Sequence, residues 1–397
     1  MVKTPPKRAD LLDNYAEFSS IVGRQTVTPI IRPSERTELT PEAKRRRRER
    51  YRLRDALRKF TSKDRICGCG IWRHAGNDVI KLKGHHETGK SFFTGLQRCG
   101  YAQFCPVCGG KIASARSAEI AEGVDIALAH GYGVYMLTLT AQHELYHTLK
   151  ELRGLIAPAW GAVTSGRAWK QDVQDFGLEG FIRAWDETWG EVHGWHPHYH
   201  VLVFTSQPLT RLQEDDLHMR MFGRWSRFVT KKGYKRPSED ATHFERIKTQ
   251  RGIGRYLNKL SLGIGMEMTR SDLKKAKKEG SLNHWQILEG LSLTGESYLY
   301  DLWMEWEAEM GGVQLVRWSN GLKKHFGIDE LTDKEIAEAE ESWTWERIIS
   351  NEEWALLSMH PHHIPLLHSC IHTHGPEAVD PFFAWLAETV HAPPAMA

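Results

Sequence analysis

Between residues 134 and 262 the apolar pattern switches between a period of two and a helical period, and the order of those switches limits the fold more than any other feature. Val134-Tyr135-Met136-Leu137-Thr138-Leu139-Thr140 is β-branched and apolar after Gly133, which predicts a strand. Helical spacing follows over 147–175. Gly180 to Trp189 reads as a second strand, a turn covers Gly190 to Gly194, and His198 to Phe204 reads as a third strand. Pro208 and Thr210 open a helix to about Thr230, His243 to Lys248 forms a short fourth strand, and Gly252 to Leu262 is a helix. The resulting order is β-α-β-β-α-β and a helix. It predicts an α+β fold with a ferredoxin-like split β-α-β antiparallel sheet, helices on one face and the other face free for a site.

The flanks have a different character. Residues 1–60 read as a basic, loosely ordered arm whose run Lys44-Arg45-Arg46-Arg47-Arg48 is equally compatible with a phosphate-gripping helix and a solvated one. Residues 61–130 form a cysteine-rich segment and a helix, 131–265 the α+β core, and 266–397 a mostly helical region. A net charge of only +3 does not by itself announce a nucleic-acid binder, so the local charge pattern has to carry that case. No stretch approaches the roughly 20 apolar residues of a membrane span, and the first residues lack an apolar signal core. A cytoplasmic protein with no membrane partner is expected.

Trp195-His196-Pro197-His198-Tyr199-His200 is the densest chemical signal. Side chains alternate along a strand, so His198 and His200 share one face and can hold one divalent cation, while Tyr199 packs on the other. A catalytic metal needs a third ligand, and the hairpin partner strand offers Glu187, with Glu191, nearer the turn, as the alternative. A carboxylate with two imidazoles suits Mg²⁺ or Mn²⁺ beside a phosphate. Downstream, Arg255-Tyr256-Leu257-Asn258-Lys259 places Tyr256 and Lys259 on one helix face. A phenol beside a cation and a metal-bound phosphate can attack phosphorus. Arg183, Arg255 and the aromatic residues Trp185, Trp189, Trp195 and Tyr199 can contact DNA, although core packing explains the aromatics equally well.

Five of the six cysteines cluster. Cys67, Cys69, Cys99, Cys105 and Cys108 give C-x-C, C-x5-C and C-x2-C spacings, and four of these thiolates could close a tetrahedral zinc site. Cys105 and Cys108 are its safest members.

Leu137-Thr138-Leu139-Thr140, then Trp195 to His200, then Tyr256-Leu257-Asn258-Lys259 resemble, in this order, three motifs of the plasmid rolling-circle replication initiators. These belong to the single-strand endonucleases defined by a His-hydrophobic-His (HUH) pair. Asp186-Glu187-Thr188, Cys99-Gly100, Cys105-Pro106-Val107-Cys108 and Trp318-Ser319-Asn320-Gly321-Leu322 extend the likeness to roughly residues 99–322. The resemblance implies an HUH endonuclease fold, with a metal on His198 and His200 and Glu187 as third ligand. Tyr256 is then the nucleophile and Lys259 a charge neutraliser. The product is a 5′-phosphotyrosine with a free 3′-hydroxyl primer on origin DNA. Some relatives carry a glutamate four residues before the tyrosine for termination; here that position is Gly252, which leaves Glu245 as a weak substitute. No G-x-x-x-x-G-K-[ST] loop is present, so a host helicase, DNA polymerase and single-strand binding protein are implied partners.

Two other readings remain at this point. A relaxase or single-strand transposase shares the chemistry, although relaxases usually carry the tyrosine ahead of the histidines. A non-catalytic, zinc-containing DNA-binding regulator accounts for the cysteines and the basic run but leaves the aligned histidines without a role.

Overall fold

The computed structural model describes residues 41–239, 242–248, 281–340 and 342–391, and divides the chain into two units. One comprises residues 100–337; the other joins 1–99 to 338–397. The architecture is α+β with antiparallel sheets.

The larger unit begins with helix α1 (Pro106–Ala129), followed by strand β1 (Gly133–Thr140). Helix α2 (Leu149–Val163) starts in a capping box in which Thr148 and Glu151 satisfy each other's end of the first turn. Helix α3 (Gly166–Phe176) stops at Gly177, whose φ of +61° is the left-handed C-cap conformation that favours glycine. Thus the helical stretch before the second strand is two helices, broken at Thr164 and Ser165. Strands β2 (Leu178–Gly190) and β3 (Gly194–Thr205) then form a hairpin, with β3 starting four residues before His198. Helix α4 (Arg211–Lys231) and strand β4 (His243–Arg246) follow, then the two-residue strand β5 (Ser281–Leu282), helices α5 (His284–Thr294) and α6 (Ser297–Glu309), and strand β6 (Val316–Trp318).

The six strands lie in the order β4-β1-β3-β2-β5, with β6 also paired to β2, and every pairing is antiparallel. The first and third strands of the predicted series are therefore neighbours at the centre, as a split β-α-β order requires. Helices cover both faces, rather than one. On one face Ile120, Val124 and Ala127 of α1, with Leu322, Phe326 and Ile328, pack on Val134, Ile182, Leu202 and Phe204. On the other, Trp160 of α2 meets Phe181 and Tyr199 edge-on, and the Trp225 indole of α4 donates to the Thr140 carbonyl at 2.8 Å. The α1 layer buries one end of its face. His198 and His200 lie at the other end of the same face.

In the smaller unit the basic run is helical over Pro41–Leu57, with Leu53 and Leu57 buried. Strands Ile80–Gly84, Ser91–Thr94 and Trp345–Ile349 make an antiparallel sheet. Its core includes Leu82, Phe93, Leu367 and Phe382. The described residues of 266–397 are mostly helical but divide between the units: those up to Ala337 belong to the larger one, and Trp345–Ile349 in the remainder is a strand paired to Ile80–Gly84.

Candidate metal centre

Three side chains converge on the uncovered end of the α1-bearing face. Thr138 lies opposite His200 and Thr140 opposite His198 across the β1–β3 ladder, and Asp186 lies opposite His198 across the β2–β3 ladder. Residues directly opposite in an antiparallel pair share a face, which brings Asp186, His198 and His200 together. Their ligand atoms all lie within 4.8 Å of one another. Nε2 of His198 is 3.0 Å from Nε2 of His200 and 3.2 Å from Oδ2 of Asp186; the remaining separation, His200 to Asp186, is 3.7 Å.

The outer contacts orient these groups. Nδ1 of His200 lies 3.1 Å from Thr138 Oγ1, and the Nδ1–H of His198 donates to the His196 carbonyl at 3.3 Å. In the tautomer that carries its proton on Nδ1, each imidazole presents its Nε2 lone pair to the shared point. Neighbouring ligands about 2.1 Å from one ion in an octahedral shell are about 3 Å apart, so the set fits a divalent cation held on one side by two imidazoles and a carboxylate. Burial would raise the Asp186 carboxyl, but His198 and His200 outweigh it and hold it below the ordinary carboxylate range. Burial would lower the His198 imidazole, but the Asp186 charge outweighs it and raises it. Next along β3, His196 meets His143, with Nδ1 to Nε2 at 2.9 Å; burial, then His198 and His143, push His196 down to about 4.

The third ligand expected from sequence is corrected. Glu187 lies opposite Pro197, on the reverse face, where it is buried and accepts hydrogen bonds from Trp306 Nε1 at 2.8 Å and His284 Nδ1 at 3.1 Å. Asp186 occupies the place assigned to Glu187. The signal was present in the hairpin: pairing Gly190 with Gly194 fixes a register that sets 186 against 198. Gly194 has a φ of +71°, so the turn that fixes this register uses glycine's conformational freedom. Thr138, the partner of His200, was not singled out by the sequence reading, although its motif was.

Arg183, Trp185, Trp189, Trp195 and Tyr199 also belong to the reverse face, because they alternate with Asp186 and with His198 and His200. Trp185, Trp195 and Tyr199 are buried, so packing accounts for them. Glu245 lies opposite Met136 on β1, two pairs beyond His243 and Thr138. Tyr256, Lys259 and Arg255, with Gly252, lie outside the described residues.

Each unit holds part of the cysteine cluster. In the smaller unit Cys69 and Cys99 are buried, and Cys67 is partly exposed on the short helix Asp64–Gly68. In the larger unit Cys105 and Cys108 are buried, and Cys105 caps α1, its sulfur accepting from the Cys108 N–H at 3.5 Å.

Residues 95–227 match the model of a family described as "Replication protein". The matched stretch contains Asp186, His198 and His200, and also Cys99, Cys105 and Cys108. The chain is also similar to a protein named "Protein rep" from Streptomyces lividans, 26% identical over 304 residues that cover 61% of this chain and 66% of that one. A "Neomycin resistance protein" from Streptomyces cyanogenus is 32% identical over 139 residues, 29% of this chain and 32% of that one. The chain therefore spans just under two thirds of the first relative and about a third of the second. No solved structure gives a significant match. The family model and the first relative support a replication protein.

Proposed function

We propose that this protein starts rolling-circle replication of a plasmid by nicking one strand of its origin, as an HUH endonuclease. The observation that carries the reading is the convergence of Asp186, His198 and His200, inside the stretch similar to replication proteins. These three residues hold Mg²⁺ or Mn²⁺. The bound cation supplies Lewis acidity to a DNA phosphate.

Tyr256 is the nucleophile. Its phenolic oxygen bonds to phosphorus as the P–O3′ bond breaks; the phenol gives up its proton to solvent, and the departing 3′ oxygen takes one up. The products are a 5′-phosphotyrosine and a free 3′-hydroxyl that primes synthesis. Lys259 offsets charge at the phosphate, and Thr138 and the His196 carbonyl hold the two imidazoles in position. Positioning and charge stabilisation supply most of the acceleration in such a transfer. Four of Cys67, Cys69, Cys99, Cys105 and Cys108 hold a structural zinc ion. Origin DNA is the substrate, with a host helicase, polymerase and single-strand binding protein acting after the nick.

The test is nicking of supercoiled DNA that carries the gene and its flanking sequence, with Mg²⁺ or Mn²⁺. Open circles and a protein–DNA adduct, with mass spectrometry locating the 5′-nucleotide on Tyr256, are the expected result. An adduct that persists in Tyr256→Phe overturns the assignment of the nucleophile. Nicking that persists in His198→Ala together with His200→Ala overturns the metal site.

A further inference from the structure

Two arginines face each other on the side of the sheet away from the metal centre. Arg183 of β2 lies directly opposite Arg317 of β6. Like charges opposed across a ladder repel, and such a pair is normally relieved by a carboxylate. Among the described residues neither guanidinium has a carboxylate partner, whereas the nearby Arg153 is paired with Glu309 at 3.2 Å. Arg183 instead lies over the Tyr199 ring, 4.3 Å from its centroid. Burial, and after it the repulsion from Arg317, pushes the Arg183 guanidinium below its ordinary value. An arginine nevertheless stays charged in a protein, so the pair keeps its positive field and its unused donors.

These guanidiniums line a cavity of about 450 Å³. Trp160, Trp169, Phe181 and Asn320 contribute to its wall. Phe181 meets Trp160 edge-on at 4.9 Å and Trp169 edge-on at 6.3 Å, so the wall is aromatic and its rings are mutually braced. Trp169 is only partly buried and can accept a stacked ring. The α2 side is low at Gly161, where a side chain would meet no atom within 4 Å, so entry is open there.

The ligand must bring an anion to the arginines and a flat apolar ring to the tryptophan. An acidic peptide has no use for the aromatic wall. A duplex cannot use it either, because both faces of each base are already stacked. We infer that this cavity seats one nucleotide of single-stranded DNA, its phosphate held by Arg183 and Arg317 and its base against Trp169, as an anchor on the face opposite the Asp186–His198–His200 cluster. The inference rests on the reading of a DNA-acting protein, but not on cleavage. It gives the displaced or incoming strand a second grip, remote from the scissile phosphate.

The experiment is fluorescence anisotropy of a labelled oligo(dT) titrated with the full chain in EDTA, which excludes turnover. Arg317→Gln removes a solvent-exposed cation and is the variant of choice; Trp169→Leu is the second, and thermal melts verify that both fold. Each is expected to weaken binding about tenfold or more, since base–aromatic stacking and phosphate contacts contribute on that scale. Arg317→Gln also lowers the salt dependence by about 0.7 in log–log slope, the share of one phosphate contact on a single strand. Wild-type affinity in both folded variants overturns the inference. So does displacement of the oligonucleotide by equimolar dTMP, which assigns a free-nucleotide site, or by poly-glutamate, which assigns an acidic partner. The two readings separate cleanly. An adduct on Tyr256 with unchanged binding in both Arg317→Gln and Trp169→Leu defeats only the anchor, and weakened binding with no wild-type adduct defeats only the nicking mechanism.

Discussion

Asp186 and His198 face each other across the β2–β3 hairpin, Oδ2 to Nε2 at 3.2 Å, and His200 Nε2 lies 3.0 Å from the same imidazole nitrogen. Removing the carboxylate leaves two neutral donors, too few to anchor a hard cation that prefers oxygen ligands. Asp186→Ala is therefore expected to weaken Mn²⁺ binding, read by titration calorimetry, and to cut nicking at least about a hundredfold. Wild-type Mn²⁺ affinity in this variant removes Asp186 from the ligand set.

Its neighbour in sequence predicts the opposite phenotype. Glu187 accepts from His284 and Trp306 in the buried layer beneath α5 and α6. Glu187→Ala leaves two buried donors without an acceptor, at about 1–3 kcal/mol each. The melting temperature should fall by several degrees while Mn²⁺ affinity stays within about twofold at temperatures where the variant is folded. A large loss of Mn²⁺ affinity with an unchanged melt would place Glu187 in the metal site.

Thr138 tests the positioning of His200 without touching the cation. Thr138→Val keeps the shape and removes the oxygen that lies 3.1 Å from His200 Nδ1. Loss of such a partner typically costs about 10- to 100-fold in metal affinity or activity. Restoration by Thr138→Ser separates lost hydrogen bonding from lost packing, and equal defects in the two variants would count against the hydrogen bond.

The strand order and the shared face of His198 and His200 were legible because both follow from the period of two and from short connections. The carboxylate that the hairpin sets beside His198 lies one position before the one expected. Asp186 and Glu187 are both carboxylates on the correct strand, and only the register of the hairpin tells them apart. Arg317 was missed because β6 is short and distant in sequence from its partner β2, so no local pattern announces that it will stand beside Arg183.

Zinc is the simplest prediction to measure. The purified chain should contain one zinc ion per molecule by plasma emission spectroscopy. Cys105→Ser should lose it together with several degrees of melting temperature, because an oxygen replaces a soft thiolate ligand and the remaining thiolates repel. A zinc-free native protein contradicts the assignment.

Acid sensitivity should come from buried histidines of the smaller unit. His363 is buried against Trp385, and burial, then repulsion from His362 and His360, pushes it down to about 3; burial also holds His368 well below its ordinary value. Both are neutral when folded, while the unfolded chain protonates near pH 6.5. Above that pH the shift contributes no penalty. Below it the unfolded state binds more protons, so stability falls with pH across the window from about 6.5 to about 3, by up to about 1.4 kcal/mol per pH unit for each histidine. The melting temperature of the wild type should therefore drop between pH 7.5 and pH 5, and His363→Leu should flatten that drop even if it changes the value at pH 7.5. A variant whose melting temperature falls as steeply as the wild type between these two pH values would show that His363 is not among the groups that titrate.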